Sequence, residues 1–189
     1  MATIVIVLVV IVLVVGISAF NTLRSASVGV EKDFSGITVQ LERRADLIPN
    51  LVNTVKGYAK HESETLLKVV EARSKATNGN ITPENASKLA EAEGQIGGAL
   101  SKLLAISEGY PDLKANQNFL QLQAEISDTE DKIASSRNLY NNSVTKLNTA
   151  MTTFPGLLFV GIAGVKKAEM YKVSEERQET IETAPDVQF

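Results

Sequence analysis

Arg43, Asp46, Asn50 and Asn53 recur at steps of 3, 4 and 3 within QLERRADLIPNLVNTVKGYAKHE (residues 40–62), and that stretch closes on the chain's single histidine, His61. On a helix such spacing lines one face. The chemistry to test is general acid–base catalysis, with Asp46 or His61 moving a proton. Geometry opposes it, because the two lie 15 residues apart, more than ~20 Å along a continuous helix. Asparagine and arginine supply neither a base nor a nucleophile. A second group, Glu125, Asp128, Glu130 and Asp131, gathers carboxylates. It lacks the paired Glu-x-x-His of a di-iron bundle and the alternating ligands and central glycine of an EF-hand, so it reads as a solvated helix face. Gly94, Gly97 and Gly98 follow no strand, as a phosphate loop would require, and read as positions where helices pack closely.

Composition removes further chemistry. The chain has no cysteine and one histidine, so it can build neither a disulfide, a thiolate metal site nor a histidine-rich zinc site on its own. A net charge of −3 with no basic stripe argues against nucleic acid as a partner. No catalytic residue, cofactor or metal is expected, and the chain reads as non-enzymatic.

The polar row therefore belongs to structure or to an interface, and Pro49 stands in its middle. A proline inside a helix removes one backbone hydrogen bond and clashes with the preceding turn, but it is tolerated in a first turn. With Asp46 capping a new helix, Pro49 would fall at the third position, and a kink or restart is expected there. Arg43, Asp46, Asn50 and Asn53 would then satisfy the freed carbonyls and bond to a neighbouring helix.

The elements that hold these residues are helical throughout. ATIVIVLVVIVLVVGISAF (2–20) carries no charge, and Arg24 is the first charged side chain. As a helix these 19 residues rise about 28 Å, close to the hydrocarbon thickness of a bilayer. No Lys or Arg precedes the run, as a cleaved signal peptide would require, so a retained anchor over 1–22 is expected. The basic residues that follow the run, Arg24, Lys32, Arg43 and Arg44, favour a cytoplasmic bulk by the positive-inside rule. From Val30 apolar residues step by 3 and 4 through Phe34, Ile37, Leu41, Ala45, Ile48, Val52, Val55 and Ala59, a near-heptad seam of coiled-coil type. Leu66, Leu67, Val69 and Val70 extend that first helix to about Ala76, and TNGN (77–80) breaks it.

Thr82-Pro83-Glu84 opens a second helix, with a capping hydroxyl and a proline at the first position. It carries Leu89, Ile96, Leu100, Leu103 and Leu104, and ends near Gly109 and Pro111. Asn116 is positioned to cap a third helix carrying Phe119, Leu122, Ile126, Ile133, Tyr140, Val144, Leu147 and Met151, which Phe154-Pro155 ends. A weak fourth helix is predicted over Lys166–Arg177. The fold class is all-α: an N-terminal transmembrane helix, then an elongated antiparallel up-and-down bundle of three long helices and a weak fourth over 23–178, then an irregular tail over 179–189.

FPGLLFVGIAGV (154–165) stands outside these seams. It is too short to span a bilayer, and Gly156, Gly161 and Gly164 disfavour an isolated helix. It reads either as a loop packed on its own bundle or as a docking segment presenting Phe154, Leu157, Phe159 and Ile162. A docking segment would meet a second subunit or the membrane interface. The subunit is preferred, because the anchor already supplies membrane attachment.

Several blocks carry a family likeness: residues 40–62, YPDLKANQNFLQLQ (110–123), SRNLYNNSV (136–144), TFPG (153–156) and the closing APDVQF. In that order, from about Phe20 to Phe189, the chain resembles the LemA family. Arg43, Arg44, Asp46, Pro49, Asn50, Gly57, Tyr58 and His61 match its most characteristic block. The resemblance implies a bacterial-type, single-pass inner-membrane protein with an up-and-down helical domain. Through a related magnetosome-membrane protein it also implies a role in membrane organisation. It implies no catalytic residue. The chain departs from the family at RSASVGV (24–30), which lacks the extra basic residues usual there. Two functions follow as expectations. One is a membrane-anchored scaffold, homo-oligomeric or docking other membrane proteins. The alternative is a sensor that relays a signal through the bundle.

Overall fold

The computed structural model describes residues 1–77 and 82–172. Helix α1 runs unbroken from Ala2 to Tyr58. Its 57 residues rise about 86 Å. The N-terminal part is bare: in its most apolar 18-residue window only 6% of residues are buried. Burial begins at Ala19 and continues through Leu23, Ala26, Val30, Phe34, Ile37 and Leu41. One helix is thus apolar all round where lipid would surround it and amphipathic where protein does.

Helix α2 (Ser63–Thr77) folds back along α1 after a short turn, α3 (Ala86–Ser107) packs on α2, and α5 (Gln117–Thr152) returns along α1. Short helices α4 (Pro111–Lys114) and α6 (Val160–Ala163) fill the two ends. The antiparallel register of α1 and α5 is pinned at three heights. Asp33 accepts from the Ser143 hydroxyl, Arg44 meets Glu130, and the Tyr58 hydroxyl accepts from Asn116 Nδ2 at 2.9 Å. All-α architecture is as predicted, and no strand occurs among the described residues; of the predicted seam, Leu67 and Val70 are exposed and Val52 is only partly buried.

Several predicted boundaries are corrected. The first bundle helix does not reach Ala76, because a turn at 59–62 divides it into α1 and α2. Gly57 weakens the last turn of α1, and the reversal buries Ala59 together with Leu66 and Val69. Four long helices result among the described residues, where three were expected. Thr82 makes no side-chain cap, and Pro83 opens a 3₁₀ turn (Pro83–Asn85) that runs into α3. Asn116 caps α5 as expected, its Oδ1 accepting from Phe119 N at 3.0 Å.

The weak fourth helix is absent over 166–172, where the chain is irregular; its remainder and the tail at 179–189 lie outside the described residues. The cause is a pair of side-chain clamps on α5. Asn141 donates to Tyr171 O at 3.0 Å and accepts from Tyr171 N at 2.8 Å. Asn148 donates to Ala168 O at 2.9 Å and accepts from Ala168 N at 3.2 Å. Seven residues of helix rise about 10.5 Å and three residues of extended chain about 10 Å, so asparagines seven apart match backbone amides three apart. A helix over 166–172 would withdraw those amides into its own bonds. Burial pushes the Tyr171 phenol above its usual range, opposed by the Arg137 guanidinium 4.7 Å above the ring.

Candidate functional site

The bundle core is not continuous along its length. A membrane-proximal core joins Leu23–Leu41 of α1 to Ala86–Ala90 and to Ile133–Leu147. A distal core joins Ile48–Ala59 to α2, to Ile96–Leu103 and to Phe119 and Ile126. Between them lies a polar layer. Arg44 projects into it from α1 and is 1% exposed, and it pairs with Glu93 of α3, 4% exposed, and with Glu130 of α5 at 2.6 Å. Thr129, fully buried in the same layer, satisfies its hydroxyl on Glu125 O at 2.7 Å.

Pro49 acts on this layer one turn away. It has no N–H, so the Ala45 carbonyl loses its partner in the helix. Arg73 of α2 takes that place, its Nε donating to Ala45 O at 2.7 Å. The proline therefore creates an acceptor that a neighbouring helix fills. α1 does not stop there, so the expected restart at Asp46 is corrected: Asp46 lies inside the helix and is no cap. A cleft of about 240 Å³ beside this point is lined by Ala45, Asp46, Arg73 and Glu93, among others.

The predicted polar row is otherwise placed. Arg43, Asp46, Asn50 and Asn53 are exposed, as are Gly57 and His61. They do not serve the freed carbonyl. Arg44, one position off the row, is the buried one. Tyr58 ties α1 to Asn116 at the distal end. Of the acidic group, Asp128 and Asp131 are exposed, while Glu130 reaches inward to Arg44. A hydrogen bond from Lys132 at 2.7 Å holds the Asp128 carboxyl below its usual range, and Arg43 adds a smaller push in the same direction. Gly97 and Gly98 have nothing near enough to meet an added side chain, so the expected close packing there is corrected. No cluster of three His, Asp or Glu residues fit for a metal occurs among the described residues.

Sequence reasoning missed Glu93 and Arg73. Glu93 does carry a signal: it falls at the buried register between Ala90 and Ile96, where a carboxylate needs a cation. Arg73 could be found only by asking where the Ala45 carbonyl goes.

Arg73→Ala is expected to cost about 1–3 kcal/mol in the presence of Pro49, because it orphans the Ala45 carbonyl. In a Pro49→Ala background the residue 49 N–H reclaims that carbonyl, and the same substitution should cost markedly less. A double-mutant cycle by chemical denaturation checks this and cancels any other contact of Arg73. Additive effects would show that the two positions are not coupled.

Comparison with known proteins bears on the whole arrangement. A family model described as the LemA family matches residues 33–189. Protein LemA of Metamycoplasma hominis is 34% identical over 113 residues, 60% of this chain and 50% of the relative. Magnetosome protein MamQ of Magnetospirillum gryphiswaldense is 29% identical over 159 residues, 72% of this chain and 58% of the relative. Magnetosome protein MamQ 2 of Paramagnetospirillum magneticum is 25% identical over 175 residues, 81% of this chain and 64% of the relative. The chain thus spans between half and two thirds of the length of these relatives.

Proposed function

The chain belongs to the LemA family, and from that premise we propose that it is a non-enzymatic, membrane-anchored helical scaffold. It works by self-association or by docking other membrane proteins, in the organisation of a membrane. The supporting observation is α1 itself, which carries the apolar span and one full edge of the bundle in a single unbroken helix. That construction holds a rigid surface at fixed distance from a bilayer. The buried polar residues support the same reading, since Arg44, Glu93 and Glu130 are engaged with one another as an ion-pair network between helices. Likeness to proteins named for the magnetosome adds the membrane-organising part.

The sensor reading draws on the same continuous helix, which would couple the membrane to the distal end of the bundle. Size determination of the detergent-extracted full chain separates the two. A discrete assembly several times the 20.4 kDa chain is expected. A monomer at all accessible concentrations would reject self-association and favour the sensor.

A further inference from the structure

The membrane-side tip of the bundle lies at the level of the anchor. The chain leaves α5 at Thr152, turns through a 3₁₀ segment (Gly156–Leu158), and enters α6. Phe159 rests against α1, where a side chain added at Gly16 would lie 3.1 Å from its ring. The turn at 154–156 and residues 14–23 of α1 line one shared groove. Gly16 is about 6 Å short of Phe20 along the helix axis, so this tip stands beside the last turns of the apolar span.

The tip is also bare on its outer side. Phe154 is 77% exposed, Leu157 56%, Leu158 63% and Ile162 73%, and no charge falls between Lys146 and Lys166. Monomers in water seldom leave such a group uncovered. This apolar surface is continuous with the uncovered anchor. Lys146 borders a groove with Val14 and Ile17, and Lys166 and Lys167 border a cavity with Arg24. These cations form a collar just above the apolar level, with Glu31 and Glu169 further out on the same cavity. Long basic side chains at such a height reach lipid phosphates.

We propose that residues 154–162 are a second membrane element, a tip that enters the same leaflet as the end of the anchor and is covered there by acyl chains. The proposal rests on the bilayer placement of residues 2–20. Part of its backbone is bonded within the tip, as a segment entering lipid requires. Leu157 N donates to Thr153 O at 2.9 Å, Phe159 N to Gly156 O at 2.8 Å, and Ala163 N to Phe159 O at 2.8 Å. The reversal from α5 depends on Gly156, where a side chain would fall 2.1 Å from Ala150 O. The preference for a second subunit rested on redundancy with the anchor. The packing removes that objection: two points of entry fix the orientation of the bundle on the membrane, which a lone helix leaves free.

The absence of native cysteine makes the test direct. Leu157→Cys and Ile162→Cys, with Val10→Cys and Val39→Cys as references, are labelled with an environment-sensitive fluorophore. The full chain is reconstituted in phosphatidylcholine–phosphatidylglycerol vesicles. Labels at 157 and 162 are expected to be quenched by acyl-chain nitroxide lipids about as strongly as at 10 and to be shielded from iodide, unlike the label at 39. Iodide access at 157 and 162 with lipid quenching at 10 would overturn the tip alone. Shielding from both quenchers would overturn it in favour of a second copy. Iodide access at 10 would remove the anchor placement and the proposal with it.

Discussion

Glu93→Ala is expected to destabilise the helical domain by about 3–5 kcal/mol, the usual cost of leaving a buried charge without its partner. Arg44 is 1% exposed and sits between two apolar cores. Glu130 remains beside it, but its side chain is 41% exposed and half committed to water. Glu130→Ala should therefore cost far less, about 1 kcal/mol. Replacing the pair together, Arg44→Met with Glu93→Leu, should recover most of the loss, because an apolar layer then fuses the two cores. Urea denaturation of the detergent-solubilised chain reads all three values. A Glu93→Ala cost no larger than that of Glu130→Ala would show that the layer is hydrated and that the ion pair does not carry the charge.

Tyr140→Ala is expected to cost about 3–5 kcal/mol, the range for removing a large buried ring. Its ring is fully buried, with centroid 5.4 Å from that of Phe34, and its hydroxyl donates to Glu169 O at 2.8 Å. Tyr140→Phe keeps the packing and should cost about 1 kcal/mol. The two variants also differ in what they release. The acceptor of its hydroxyl, Glu169 O, lies between Ala168 and Tyr171, the two residues the asparagines clamp, so the alanine variant should loosen the segment at 166–172. Limited trypsin cleavage at Lys166 and Lys167 is expected to quicken in Tyr140→Ala and to change little in Tyr140→Phe. Equal cleavage in both would show that the asparagines hold the segment unaided.

The seams of α1, α3 and α5 were legible because each long helix buries one stripe toward the bundle core, and burial then follows the helical period. Asn116 was legible because capping is local chemistry. The turn at 59–62 was hidden: it contains no proline, and Leu66 and Val69 continue the apolar period of α1 after the chain has reversed. The seam also shifts near Pro49, where Leu51 is buried and Val52 only partly. The polar row misled because regular spacing shows a shared face without showing which way that face points. Arg44, one step away, points inward because its partners stand on α3 and α5, far off in sequence. The segment at 166–172 carries helix-compatible residues, and only the asparagines opposite it draw its amides elsewhere. Each miss concerns a residue whose partner lies on another element.

The length of α1 has a mechanical consequence. About 38 residues, or roughly 57 Å, of the helix stand beyond residue 20. With residues 2–20 placed in a bilayer, as proposed above, the span and this arm form one lever with its fulcrum at the bilayer surface. Transmembrane helices answer a change in hydrocarbon thickness by tilting. A tilt of about 10° would sweep the far end, where Tyr58 meets Asn116, sideways by roughly 10 Å. A thickness change of a few ångströms at one end thus becomes a displacement as wide as a helix at the other.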